Sequence, residues 1–234
     1  MPALRRRSIA GGIDVAVGAT RHDTRVDIGA RHPHRYDIGK GRYVMRTHAP
    51  RLAPLRDDEL DADQAGILGP LRASGRDYNI FRTFARHPTA MRAFLGWGGH
   101  ILSPGNTLPP RLREIAILRT GYLCRAGYEW ARHVPIARRE GLSDTDIAAL
   151  KRDPADGPWS PGERALLAAV DELIDDRMIG DDRWAELASH FEERQMLDLI
   201  FTVGQYVMVS MFLNSAGVQL DDDVVLDPDL ALLA

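Results

Sequence analysis

The chain has 234 residues, 44% hydrophobic and 27% charged, with a formal charge of −3, a composition that excludes disordered and fibrous classes. Its one cysteine, Cys124, excludes an intrachain disulfide framework and a Cys-rich metal centre, and fits a reducing, cytoplasmic setting. Only Lys40 and Lys151 are lysines, which leaves almost no candidate for Schiff-base chemistry.

Residues 1–44 hold nine Lys/Arg against four Asp, and the remainder twenty-one against twenty-nine Asp/Glu, so the two parts carry +5 and −8. The first part has Arg5-Arg6-Arg7, scattered glycine and histidine, and no apolar run of helical or strand period. It reads as a disordered basic arm, or as an over-extended start ahead of Met45. Ser8 to Thr20 is broken by three glycines and Asp14, too interrupted for an export signal. The arm has no interleaved aromatics, so nucleic acid is not an expected partner.

A helical domain is expected over 45–222, with a tail over 223–234. Asp57 to Leu71, Tyr78 to Arg86 and Pro88 to Leu102 read as helices, the third weakened by Gly96, Gly98 and Gly99. After the turn Ser103-Pro104-Gly105-Asn106, Pro109-Pro110 suits the first turn of a helix that runs to a break at Cys124 to Gly127. Tyr128 to Glu140 follows, with a kink expected at Pro135 and a stop at Gly141. Capping boxes at Ser143/Asp146 and Ser160/Glu163 start two more helices. Another is expected over Asp181 to Phe191, and a last one over Glu193 to Asn214. No strand is evident.

The last helix is apolar nearly all round, and residues 199–220 carry no charge. That length could span a bilayer. Thr202, Gln205, Ser210, Asn214, Ser215 and Gln219 interrupt it, however, so it reads as a central or interface helix of a bundle and not as a membrane span. Gln205 and Asn214 then become buried polar groups that either bond a neighbouring helix end or touch a ligand. More apolar surface than one chain can cover predicts a homo-oligomer through this helix.

Glu129 and His133 are four apart on one helix and share a face. Glu114 lies about as far before the break as His133 lies after it, so the two reach similar heights if the helices fold back antiparallel. Two carboxylates and an imidazole suit proton transfer. The spacing alone equally allows a surface ion pair.

Residues from about Met45 to Asp222 resemble the carboxymuconolactone decarboxylase superfamily, which includes the alkylhydroperoxidase D proteins. Its peroxidase branch carries a glutamate, a cysteine twelve residues later, a second cysteine three on, and a histidine four beyond. With Glu114 as the glutamate, these positions fall on Ala126, Glu129 and His133, so both ends match and both cysteines are absent. Tyr128-Glu129-Trp130-x-x-His133, Val203-Gly204-Gln205-Tyr206 and Leu213-Asn214-Ser215 resemble a subgroup labelled only by the decarboxylase name.

The resemblance implies an all-α, alkylhydroperoxidase D-like helical bundle, assembled as a homo-oligomer and working on a small molecule without metal or organic cofactor. It implies a lyase acting on an unsaturated lactone or carboxylated ring-cleavage product of aromatic catabolism. His133 is then the proton donor and base, Glu114 orients it, and Glu129 is a second acid/base. Tyr128, Trp130 and Gln205 are candidate substrate contacts, the two aromatics being equally explained as packing residues. Three alternatives remain: a thiol peroxidase, which the missing cysteine pair disfavours; a metal enzyme using Glu114, Glu129 and His133, which lacks a convincing second histidine; and a non-catalytic helical oligomer.

Overall fold

The computed structural model describes residues 45–231, and the arm expected over 1–44 lies outside them. Among the described residues nine α-helices follow in chain order: α1 (Ala62–Ala73), α2 (Asn79–Phe84), α3 (Pro88–Ile101), α4 (Pro110–Leu123), α5 (Gly127–Arg139), α6 (Asp144–Ala149), α7 (Pro161–Asp175), α8 (Asp181–Ala188) and α9 (Glu193–Ala216). Among the described residues there is no strand, so the domain is all-α.

Local chemistry sets most of the starts. Ser143 and Ser160 accept from the backbone N–H groups of Asp146 and Glu163, and those carboxylates accept in return from the serine N–H groups, the reciprocal box that satisfies two orphan donors. One expected start moves. Asp57–Glu59 forms a separate 3-10 turn, extended Leu60 ends it, and Asp61 caps α1 with Gln64 at its third position. Helix α5 runs through Pro135 to Arg139 without a break. Helix α8 stops at Ala188, short of Phe191, while α9 continues past Asn214 to Ala216.

Helix α4 is the centre. It packs against α5, α7 and α9, and its residues from Glu114 to Gly121 are all buried. The principal core joins Ile115, Leu118, Trp130, Leu166, Val170 and Leu199 from these helices. Arg119 ties α4 to its surroundings: Nε and Nη2 donate to Asp171 on α7 at 2.7 and 2.6 Å, and Nη1 donates to the carbonyls of Leu150 and Arg152 at 2.8 and 2.7 Å.

Helix α9 is long and apolar enough to cross a membrane by length and composition. Here it lies against α3, α4, α5, α7 and α8, the position of a core helix. The segment read as a tail from 223 folds back on the helices: Lys151 pairs with Asp227 and Asp229, both at 2.7 Å, and Leu230 enters the principal core.

Candidate active site

The site is built on the α4–α5 hairpin. Cys124 ends α4, Arg125 takes a left-handed conformation (φ 52°), and the N–H groups of Arg125 and Ala126 donate to the carbonyls of Tyr122 and Gly121 at 2.9 and 2.8 Å. This is a Schellman turn with arginine where glycine is usual. Asn214 on α9 donates to the Cys124 carbonyl at 3.1 Å. Asn214 is therefore the structural bond to a helix end, and the reversal is fixed from a third helix.

The hairpin sets Gly121 beside Glu129, and Glu114 beside His133. His133 Nδ1 lies 2.8 Å from Glu114 Oε2, and Nε2 lies 2.9 Å from Glu129 Oε1. All three side chains are buried, so the surface ion-pair reading is excluded. A fourth member comes from α9: Tyr206 Oη is 3.2 Å from His133 Nε2, its ring edge-on to the imidazole at 5.1 Å. Tyr206 had only its place in the Gly204-Gln205-Tyr206 run as a signal; nothing local says which face of α9 meets α5.

Burial alone would lower the His133 pKa, but the two carboxylates outweigh it and raise it from 6.5 to about 10. His133 is thus an imidazolium at neutral pH, donating through both nitrogens. Burial first, and then Glu129 and Glu114, push the Tyr206 phenol well above its usual value, so it stays protonated.

A cavity of about 1060 Å³ opens between α1 and α3 on one side and α5 and α9 on the other. Glu129, His133 and Tyr206 line it and Glu114 does not, so Nε2 is the cavity-side nitrogen and Nδ1 the anchored one. Phe81, Phe94 and Ile101 supply apolar wall, and Arg76, Arg92, Arg132 and Arg139 bring positive charge.

Of the candidate substrate contacts, Gln205 and Tyr128 line the cavity. The Tyr128 hydroxyl is already committed, donating to Asp221 Oδ2 at 2.6 Å and accepting from the Ile80 N–H at 3.3 Å. Trp130 does not reach the cavity. It is 2% exposed in the principal core, with the Tyr122 ring at 5.8 Å and the Lys151 ammonium 5.4 Å above its own. The reason is helical phase: Glu129, Arg132, His133 and Ile136 repeat at three and four residues along the cavity face, and one residue beyond Glu129 turns away by about 100°.

Comparisons with known proteins agree with this fold. A solved alkylhydroperoxidase AhpD-core structure, an uncharacterized peroxidase-related protein from Ralstonia eutropha JMP134, has a TM-score of 0.64 at 18% identity, over 74% of this chain and 94% of that one. The debrominase Bmp8 in complex with 2,3,4-tribromopyrrole gives 0.61 at 17%, over 73% and 91%. An uncharacterized peroxidase-related protein from Silicibacter sp. TM1040 gives 0.61 at 16%, over 80% and 97%. At such identities the likeness is one of fold. Comparison with curated proteins returns no match. Residues 88–172, which carry Glu114, Glu129 and His133, match the carboxymuconolactone decarboxylase family. That segment is similar to the carboxymuconolactone decarboxylase family, and the helical fold to that of the alkylhydroperoxidase D-like structures.

Proposed function

We propose that the chain is a carboxymuconolactone decarboxylase-like lyase that acts, without metal or organic cofactor, on an unsaturated lactone or carboxylated ring-cleavage product. The observation that carries this reading is the burial of His133 between two carboxylates, with Nε2 on the wall of a largely apolar cavity. Such a pair can deliver a proton to carbon. The substrate carboxyl carbon leaves as carbon dioxide, and its bonding pair flows into the conjugated ring. The remote carbon then takes a proton from the His133–Glu129 pair, and solvent returns one to the pair. Glu114 keeps the ring oriented and charged, which makes His133 an acid first and gives the base role to Glu129. Arg76 and Arg139 on the cavity wall, without a carboxylate partner among the described residues, offer a counter-charge for the substrate carboxylate.

The peroxidase reading has less support, because Cys124 lines a different cavity from His133. We further propose a homo-oligomer through α9. Leu197, Phe201, Met208 and Met211 are exposed along it, in one stripe with Gly204 between them. Phe201 also meets exposed Trp97 edge-on at 5.4 Å.

A panel of unsaturated lactones and carboxylated ring-cleavage products, scored for carbon dioxide release, tests the lyase reading. Wild type should turn over at least one member. His133→Ala should lose about a hundredfold or more in kcat, and Glu129→Gln should shift the pH profile before it abolishes turnover. Release unaffected by either substitution would sink the proposal.

A further inference from the structure

A second cavity of about 620 Å³ shares no lining residue with the first. It lies between the segment preceding α1, the end of α7 and the face of α9 that carries Val203, Val207 and Ser210. Leu173, Ile174 and Ile200 complete its apolar floor, and no aromatic or acidic side chain lines it. The first cavity, in contrast, is walled by rings.

Three guanidinium groups, those of Arg46, Arg51 and Arg177, stand at its edge. Among the described residues Arg46 and Arg177 have no hydrogen-bonded acceptor, and Arg51 donates from its side chain only to the Ser215 carbonyl, at 3.3 Å. Arg177 holds its place with φ at 64°, a left-handed conformation that costs a residue with a β-carbon about 1 kcal/mol. Deeper in the wall, Ser210 is 1% exposed. Its hydroxyl makes no hydrogen bond of ordinary geometry among the described residues, with the half-buried Cys124 thiol as a polar neighbour.

We propose that this cavity binds an aliphatic carboxylate, with the chain on the floor formed by α7 and α9 and the anion held by Arg46, Arg51 and Arg177. Unpaired guanidinium groups favour a planar oxyanion, and an aliphatic floor without flat faces favours a flexible chain over an aromatic ring. The site is independent of the lyase reading, since neither His133 nor the carboxylates take part. Because Gly204 and Met211 of the α9 stripe line its rim, a second copy docked on that stripe would border the ligand.

Cys124 reports on occupancy because it lines the cavity and is the sole cysteine. The full chain is alkylated with neutral iodoacetamide, followed by intact mass, with decanoate, decanol or neither present. Occupancy slows labelling by one plus the ratio of ligand concentration to Kd. Decanoate at ten times its Kd should therefore slow labelling about tenfold, and decanol at the same concentration much less. The Arg46→Gln/Arg177→Gln variant, changed only at exposed positions, should bind decanoate about two- to tenfold more weakly. Calorimetric titration of both proteins with decanoate gives the same comparison without the thiol. Absence of saturable decanoate binding would overturn the proposal. So would equal protection by decanol that the arginine substitutions leave unchanged.

Discussion

His133 gains its charge from position, and two predictions follow at the scale of single residues. Its folded-state pKa is raised to about 10 by Glu114 and Glu129 against the pull of burial. The stabilisation this provides is full below the unfolded value near 6.5 and is lost as pH rises through about 10. Wild type should therefore hold an advantage in Tm over Glu114→Gln/Glu129→Gln/His133→Gln near pH 6 that shrinks steadily by pH 10. A constant gap in thermal scans would contradict the raised pKa. Removing His133 alone leaves Glu114 and Glu129 buried without a counter-ion, a change worth about 3–5 kcal/mol, so circular dichroism must accompany the His133→Ala assay. Tyr206→Phe keeps the ring and deletes only the hydroxyl beside Nε2. Its expected signature is a fall in kcat of about tenfold or more with Tm nearly unchanged, measured on whichever substrate releases carbon dioxide.

Among the elements, the α4–α5 hairpin and the end of α9 position the site. Helix α9 stops at Gly217, whose φ is 68°. A β-carbon there would fall 2.5 Å from Thr47 Oγ1 and 3.2 Å from the Ala49 carbonyl oxygen and the Arg51 nitrogen. Backbone strain and backbone contact act together, so Gly217→Ala should cost about 1–3 kcal/mol in a urea titration. A neutral result would mean that the segment before α1 can move aside. Sequence capping rules located Ser143 and Ser160 correctly, because each box is closed within four residues. The expected start at Asp57 falls instead on a separate 3-10 turn capped by Arg56, and α1 begins after Asp61, its cap, once Leu60 has turned extended.

Across the whole molecule, the remaining question is what covers α9. The apolar stripe from Leu197 to Met211 has Gly204 near its middle, which would allow two copies of the helix to approach closely around a twofold axis. Phe201→Glu with Met208→Glu should shift the protein to a monomer in sizing with light scattering at micromolar concentration. A wild type that is already monomeric there would refute the proposed interface.

By itself the sequence determined the helices and the pairing of Glu129 with His133, because these rest on local information: caps, apolar period and four-residue helical spacing; that Glu114 joins them rested on the family resemblance and on the two helices folding back. It could not tell whether that cluster is a solvated ion pair or a buried charged triad. Only the tertiary structure decided this, by packing α4 and α9 against α5 so that the imidazole is buried between Glu114 and Glu129, whose charges raise its pKa against the pull of burial. Packing also selected the partners that no spacing within α5 encodes. Tyr206 arrives from 73 residues away, while Trp130, one residue from Glu129, turns into the core. The α-helix places neighbours in sequence about 100° apart, and which of those directions becomes a cavity depends on the helices packed around it.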